Sequence, residues 1–284
     1  MGQIRDRMNA DLRLAGRAES TRKRYIQCAR LFVKYFMRSP DQLDESHVRE
    51  FMLYLTEKRQ LAVGTRLAYL GALKFLYSVT LKRPEVTEFI PWPRAKDRLP
   101  IVATRQEVAQ LLEAAQEWPY WRAFLLTSYA AGLRRFEVAA LRAQDIDSRA
   151  GLIRVENGKG GKRRLVMLDE RLLVGLRRHW RLQRLPGPWL FPSPTSGGWR
   201  DRPITPSAAT AAFRRITQRA GLQRRITLHH LRSAFTTHLV EDGVNIATLQ
   251  RLLGHKRIET TIRYTRVRTD LITATPSLLK KLGL

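Results

Sequence analysis

Between residues 227 and 264 the chain reads Thr227-Leu228-His229-His230-Leu231-Arg232, then Leu252-Leu253-Gly254-His255, then Tyr264. Thr227 is a candidate helix cap, and Gly243 and Gly254 are candidate stops. Helices are therefore expected from about Leu228 to Asp242 and from Ile246 to Leu253, with another over Thr260 to Tyr264. His229 and Arg232 lie three residues apart, so a helix puts both on one face. A histidine–arginine pair, a second histidine after a glycine and a tyrosine thus fall within 36 residues.

The sequence before this run predicts a mixed domain. Thr104 and Glu107 have the spacing of a capping box, and helices are expected near 104–116, 119–131 and 134–142. Leu152–Val155 and Arg164–Leu168 are strand-like, and they flank Asn157-Gly158-Lys159-Gly160-Gly161-Lys162, a hairpin signal. A helix near 169–182, a Pro/Gly/Ser-rich loop over 186–206 and a helix near 206–220 complete the region. The glycines at 158–161 lack the spacing of a phosphate-binding loop, and no cysteine cluster, H-E-x-x-H or calcium loop appears.

Residues 1–84 read as a separate helical domain. Tyr25, Cys28, Ala29, Phe32, Val33 and Phe36 form one apolar stripe, with Ser20 as the expected cap, and further helices are expected over 46–59 and 62–82. Four prolines in the basic, mostly non-periodic run 84–101 mark residues 85–101 as an extended linker, which leaves 102–284 as the second domain. The fold class expected is mainly α with a small β-hairpin or sheet.

A formal net charge of +27 is spread as +9 over residues 1–100 and +18 over 101–284. Such a surface steers toward polyphosphates, although a basic RNA-binding or ribosome-associated protein has the same composition. The single cysteine, Cys28, cannot form an internal disulfide, and it reads as a small buried hydrophobe. No apolar run is long enough for a membrane span or a signal peptide, so a cytoplasmic, nucleoid-associated protein that does not engage membranes is expected.

Breaking a phosphodiester without a metal requires a nucleophile, cations for the pentacovalent transition state and an acid for the leaving oxygen. Tyr264 can supply the first. Arg134 and Arg232 present planar donor forks, with His229 and His255 nearby, and Lys159 at a hairpin tip can deliver a proton. Each also has an ordinary use. Tyr264 can be a half-buried helical tyrosine, the histidines can cap helices, Lys159 can be a solvated turn residue, and Arg134 and Arg232 can bridge to Glu137 and Asp242.

Taken in order, these boxes resemble the tyrosine recombinases, or phage integrase family. Gly132-Leu133-Arg134-Arg135-Phe136-Glu137 is similar to G-L-R-x-x-E, and Gly158-Lys159-Gly160-Gly161-Lys162-Arg163-Arg164 to the catalytic hairpin, in which the first lysine is catalytic. His229-His230-Leu231-Arg232 is similar to H-x-L-R, Leu252–His255 to L-L-G-H, and Tyr264-Thr265 to the nucleophile motif. Three positions depart from the pattern: Phe136 is bulkier than usual, Ser233 replaces a histidine, and Arg266 stands where the motif often reads Y-T-H. Arg135 and His230 are competing neighbours of the favoured Arg134 and His229.

The resemblance implies a helical core-binding domain and an α+β catalytic domain forming a C-shaped DNA clamp. Its implied catalytic set is Arg134, Lys159, His229, Arg232, His255 and the nucleophile Tyr264, with no cofactor and no metal. The implied reaction forms a 3′-phosphotyrosyl link and exchanges strands through a four-way junction. The implied partner is double-stranded DNA carrying recombination sites, bound by a homotetramer of protomers that are monomers in free solution. The segment after Tyr264, through Leu271, Ile272, Leu278, Leu279 and Leu282, is expected to dock on a neighbouring protomer, with docking in cis or a disordered tail in the free protein as the competing readings.

For DNA contacts the candidates are Arg22, Lys23, Arg66 and Lys74 in the first domain and Arg94 and Lys96 in the linker. Arg214, Arg215, Arg219, Arg224 and Arg225 are the candidates in the second. Competing readings are a type IB topoisomerase-like enzyme, which nicks and rejoins one duplex, and a non-catalytic sequence-specific DNA-binding accessory protein.

Overall fold

The computed structural model describes residues 2–93, 101–156, 163–185, 187–254 and 262, and the chain divides into two units, Met1–Asp97 and Arg98–Leu284. In the first unit, α1 (Gly2–Leu14), α2 (Glu19–Phe36), α3 (Glu45–Leu53), α4 (Val63–Phe75) and the single turn α5 (Glu85–Glu88) enclose one core. Phe32, Phe51, Leu70, Leu73 and Tyr77 are its buried centre. Asp44 starts α3 by accepting from the Ser46 and His47 amides, and α3 and α4 each continue into a π-helical turn, Tyr54–Lys58 and Leu76–Thr80.

Three details differ from the sequence expectation. Helix α1 is additional: its stripe is only Ile4, Met8 and Leu12 among charged residues, too short to stand out, yet Met8 and Leu12 are buried. The N-cap position of α2 is Ala18, so Ser20 lies inside the first turn instead of capping it. The linker also begins later than residue 85. Pro84 starts α5, where its missing N–H costs nothing, and Val86 is buried in the first core.

The second unit opens with α6 (Arg105–Ala114), held by the expected capping box: the Glu107 amide donates to Thr104 Oγ1 at 3.1 Å and the Thr104 amide to Glu107 Oε2 at 2.7 Å. Helices α7 (Pro119–Ala130) and α8 (Arg135–Ala139) lead into an antiparallel sheet ordered β1-β2-β3. Its strands are β1 (Ile146–Asp147), β2 (Leu152–Val155) and β3 (Arg164–Met167), with Val155 paired to Arg164 at the open end. Then come α9 (Glu170–Gln183), β4 (Pro192–Thr195), β5 (Gly198–Pro203), α10 (Pro206–Arg219), α11 (Leu228–Glu241) and α12 (Ile246–Leu253).

The β4–β5 hairpin corrects the expectation of an irregular loop over 186–206. Its prolines argue against strand, but in a two-stranded sheet each strand is an edge and tolerates them. Trp199 fixes it by stacking on Tyr120 at 4.9 Å and donating Nε1–H to the Gln183 carbonyl at 3.0 Å. Helix α11 is buried on nearly every face, so it is the central post of this unit and sets where its polar residues emerge.

Candidate active site

The site is built on two glycines and one buried acid. Gly132 ends the turn after α7 with φ +58°, and a Cβ there would stand 2.3 Å from Phe235 Cδ1 of α11. Only glycine lets α7 pass so close to α11. Arg134 then occupies the N-cap position of α8, and its amide donates to Glu137 Oε2 at 2.8 Å while its Nη1 reaches Oε1 at 2.8 Å. Glu137 is thus both the cap of a short helix and a buried counter-ion.

Three guanidiniums gather around that carboxylate. Arg164 of β3 binds it as a fork, Nη1 to Oε1 at 2.8 Å and Nη2 to Oε2 at 2.7 Å. Arg232 of α11 lies 3.8 Å from Oε2 and donates at 2.6 Å to the Gly132 carbonyl and at 2.6 Å to the Leu253 carbonyl. The Leu253 oxygen is one of the acceptors a helix end leaves without an intrahelical partner, and the left-handed Gly254 (φ +61°) terminates α12 just beyond it. Arg164 Nε takes the neighbouring Leu252 carbonyl at 2.8 Å. Of the alternative structural bridges, Arg134 does pair with Glu137, whereas Asp242 pairs with Arg105 at 2.8 Å.

Burial alone would push the Glu137 carboxyl upward. The hydrogen bonds and charge of Arg164, and then those of Arg134, outweigh it and hold the carboxyl below its ordinary value. With one anion among three cations the cluster keeps an excess of positive charge, an arrangement suited to a phosphate.

His229, in the first turn of α11, is open to solvent at the edge of a cleft of about 670 Å³ whose wall includes Arg134, Arg135, Phe136, Arg214, Arg225 and Arg232. Desolvation, then Arg232, His230, Arg134 and Arg135, lower its pKa from the ordinary histidine value. His230 has a different job. Its Nδ1 accepts the Thr227 amide at 3.2 Å and caps α11. Arg135 likewise turns away from Glu137, donating to Thr210 Oγ1 of α10 at 2.9 Å. The pairs Arg134/Arg135 and His229/His230 are therefore distinguished by their partners.

Arg134, His229 and Arg232 are brought together. Lys159, His255 and Tyr264, like Arg94 and Lys96, lie outside the described residues. Of the other DNA-contact candidates in the second unit, Arg214 and Arg225 line the cleft. Arg224 does too, but it is tied to Glu107 and the Val102 carbonyl. Arg219 pairs with Glu117, and Arg215 and Arg219 lie over the Trp118 ring. In the first unit, Lys23 pairs with Glu19, Arg66 donates to Thr56, and Lys74 lies 5.6 Å from the centre of the Trp92 ring. Arg22 and Lys23 line a basic cleft of about 690 Å³ between α1 and α2.

Two residues outside the expected set hold the site together. Glu137 was visible only as the last letter of a motif and as a possible bridge partner. Arg164 closes the hairpin motif in the sequence, but a strand-end arginine in a basic run looks solvated, so its spacing alone assigns it no role. Among the described residues no group of three or more His, Cys, Asp or Glu side chains is placed to share a metal ion, and no helix is long and apolar enough to cross a membrane.

Residues 102–270 match the phage integrase family, and residues 4–87 match the phage integrase N-terminal SAM-like domain. A putative integrase/recombinase of Sinorhizobium fredii is 38% identical over 98% of this chain and 88% of its own length. Tyrosine recombinase XerC of Xanthomonas axonopodis pv. citri is 31% identical over 80% of this chain and 74% of its own. Among solved structures, a lambda integrase dimer bound to a COC′ core site superposes with a TM-score of 0.74 at 17% identity, covering 93% of this chain and 94% of that one. Sequence, fold and an arginine-rich cluster around Glu137 agree: the chain belongs to the phage integrase family and is a site-specific tyrosine recombinase, cleaving and rejoining DNA strands through a phosphotyrosyl intermediate.

Proposed function

We propose that Arg134, Lys159, His229, Arg232, His255 and Tyr264 form the catalytic set, acting on the scissile phosphate of a recombination site in duplex DNA. The observation that carries this reading is the convergence of Arg134 and Arg232 on one buried carboxylate, with His229 at the edge of the same cationic cleft. Two guanidiniums fixed in this way can neutralise the non-bridging oxygens without reorganising during the reaction.

The Tyr264 hydroxyl attacks phosphorus, and the bond to the 5′ oxygen breaks. His229 is an available acceptor for the phenolic proton, Lys159 protonates the departing 5′ oxygen, and His255 donates to the phosphate. A 5′-hydroxyl from the partner duplex then attacks the phosphotyrosyl phosphorus, and Tyr264 leaves with a proton. Each step exchanges one phosphate ester for another, so the reaction needs no external energy source.

One solved structure of similar fold is a lambda integrase tetramer bound to a Holliday junction. We extend that assembly to this chain: four protomers on two synapsed sites, with the segment after Tyr264 docking on a neighbour. Arg22, Lys23, Arg214 and Arg225 are the cations we assign to the DNA backbone, with sequence read by other groove contacts.

A suicide duplex carrying the candidate site tests the chemistry. Wild type should form a covalent adduct, and Tyr264→Phe should form none while binding the duplex nearly as tightly. An undiminished adduct from Tyr264→Phe would overturn the nucleophile assignment. Nicking and relaxation of plasmid without strand exchange would favour the topoisomerase-like reading instead.

A further inference from the structure

We propose that Arg164 is a positioning residue for strand cleavage, holding in register the backbone segments that carry the groups assigned above to catalysis. The proposal rests on that assignment. Arg164 opens β3, five residues after Lys159 in the sequence, and pairs with Val155 at the end of β2. Its two Nη groups span both oxygens of Glu137, the carboxylate that also holds the Arg134 side chain and amide. Its Nε holds the Leu252 carbonyl at the end of α12, three residues before His255. Through Glu137 it also shares a counter-ion with Arg232.

One guanidinium therefore joins β3, α8 and the end of α12, which are far apart in sequence; Arg134 is held directly through Glu137, and Lys159 and His255 lie five residues before Arg164 and three after Leu252 in the chain. The side chain is 7% exposed, and the donors described above all point into protein, so it acts through other residues and not on the substrate. Gly254 makes room for this: a Cβ there would meet the Arg164 Cδ at 3.0 Å. A planar fork with a third donor is needed to serve a carboxylate and a carbonyl at once, and a lysine ammonium cannot span both. Supporting residues of this kind commonly change rates by about 10–100-fold, because small misplacements of catalytic groups are costly.

The full chain should be compared as wild type, Arg164→Lys, Arg164→Gln, Glu137→Gln and the Arg164→Gln/Glu137→Gln double variant. Duplex affinity, fraction of active protein and single-turnover rate of adduct formation on the suicide duplex are to be measured separately. For Arg164→Lys we expect affinity within about threefold of wild type and an adduct rate reduced about 10–100-fold. In the double variant the rate loss should be smaller than the product of the two single losses, because both substitutions break one linkage.

A rate for folded Arg164→Lys within about threefold of wild type, or a defect confined to the active fraction, would overturn the proposal. So would single losses that multiply in the double variant. Failure of the catalytic assignment looks different: the wild type forms no adduct, or Tyr264→Phe still forms one.

Discussion

Replacing Glu137 with Gln removes the one negative charge beneath three guanidiniums while keeping the side chain's size. The carboxylate now accepts from the Arg134 amide and Nη1 at 2.8 Å each and from Arg164 at 2.8 and 2.7 Å. Glutamine offers one oxygen and turns an NH₂ toward the remaining donors. Breaking a buried ion pair by removing one partner costs about 3–5 kcal/mol. The lower end suits this site, because Arg134 is 17% exposed and Arg164 and Arg232 keep their carbonyl acceptors. A loss of about 3 kcal/mol corresponds to a Tm lower by about 6–12 °C for a unit of this size.

The assay is calorimetric melting of the second unit against pH. The Glu137 carboxyl is held below its ordinary value of 4.5, so its stabilising effect is present above that pH and is lost as pH falls through the folded-state value. The gap between wild type and Glu137→Gln should therefore be full at neutral pH and close in acid. Inorganic phosphate should narrow it by binding the uncompensated arginines. A Tm change under about 2 °C at neutral pH, or a gap undiminished in acid, would refute the reasoning.

Arg134→Ala should lower the single-turnover adduct rate by at least about 100-fold, whereas Arg135→Ala should mainly weaken duplex binding and reduce its salt dependence by about one unit of slope; gel-shift titrations in varied salt beside adduct kinetics separate the two. In a nuclear magnetic resonance titration of the free protein, His229 should titrate below the ordinary 6.5 and move upward when phosphate occupies the cleft, since an added anion offsets the cations that depress it. Gly132→Ala combines a left-handed backbone with a Cβ 2.3 Å from Phe235. It should cost about 2–5 kcal/mol in stability, measured by denaturant unfolding, and should slow cleavage by displacing the carbonyl that anchors Arg232. His230→Ala should cost about 0.5–2 kcal/mol as a lost cap, and in folded protein the adduct rate should stay close to wild type.

Local patterns carried most of the helices. The Thr104–Glu107 box, the stripe around Phe32 and the stops at Gly243 and Gly254 each act within a few residues, so the chemistry that makes them is written contiguously. What failed was marginal or shared. Helix α1 buries only a short stripe, and α5 depends on Val86 finding a core assembled by other helices. The β4–β5 hairpin holds its prolines because Tyr120, more than seventy residues earlier, receives Trp199.

By itself the sequence determined the ordered boxes from Gly132 to Tyr264, the cationic surface and hence the family, because these are properties of residue type and spacing. Motif position favours Arg134 and His229, but the sequence does not say what holds each of the adjacent arginines and histidines. Those partners belong to the tertiary structure. Arg134 is held by a carboxylate three residues on that is itself pinned by Arg164 of β3, and His230 is taken by the helix cap it makes. The geometry of Arg232 is fixed by two carbonyls, one freed by the turn at Gly132 and one by the end of α12, that come together only when α11 is buried between them. A buried charge is placed by the partners that offset its desolvation, and here those partners are distant in the chain.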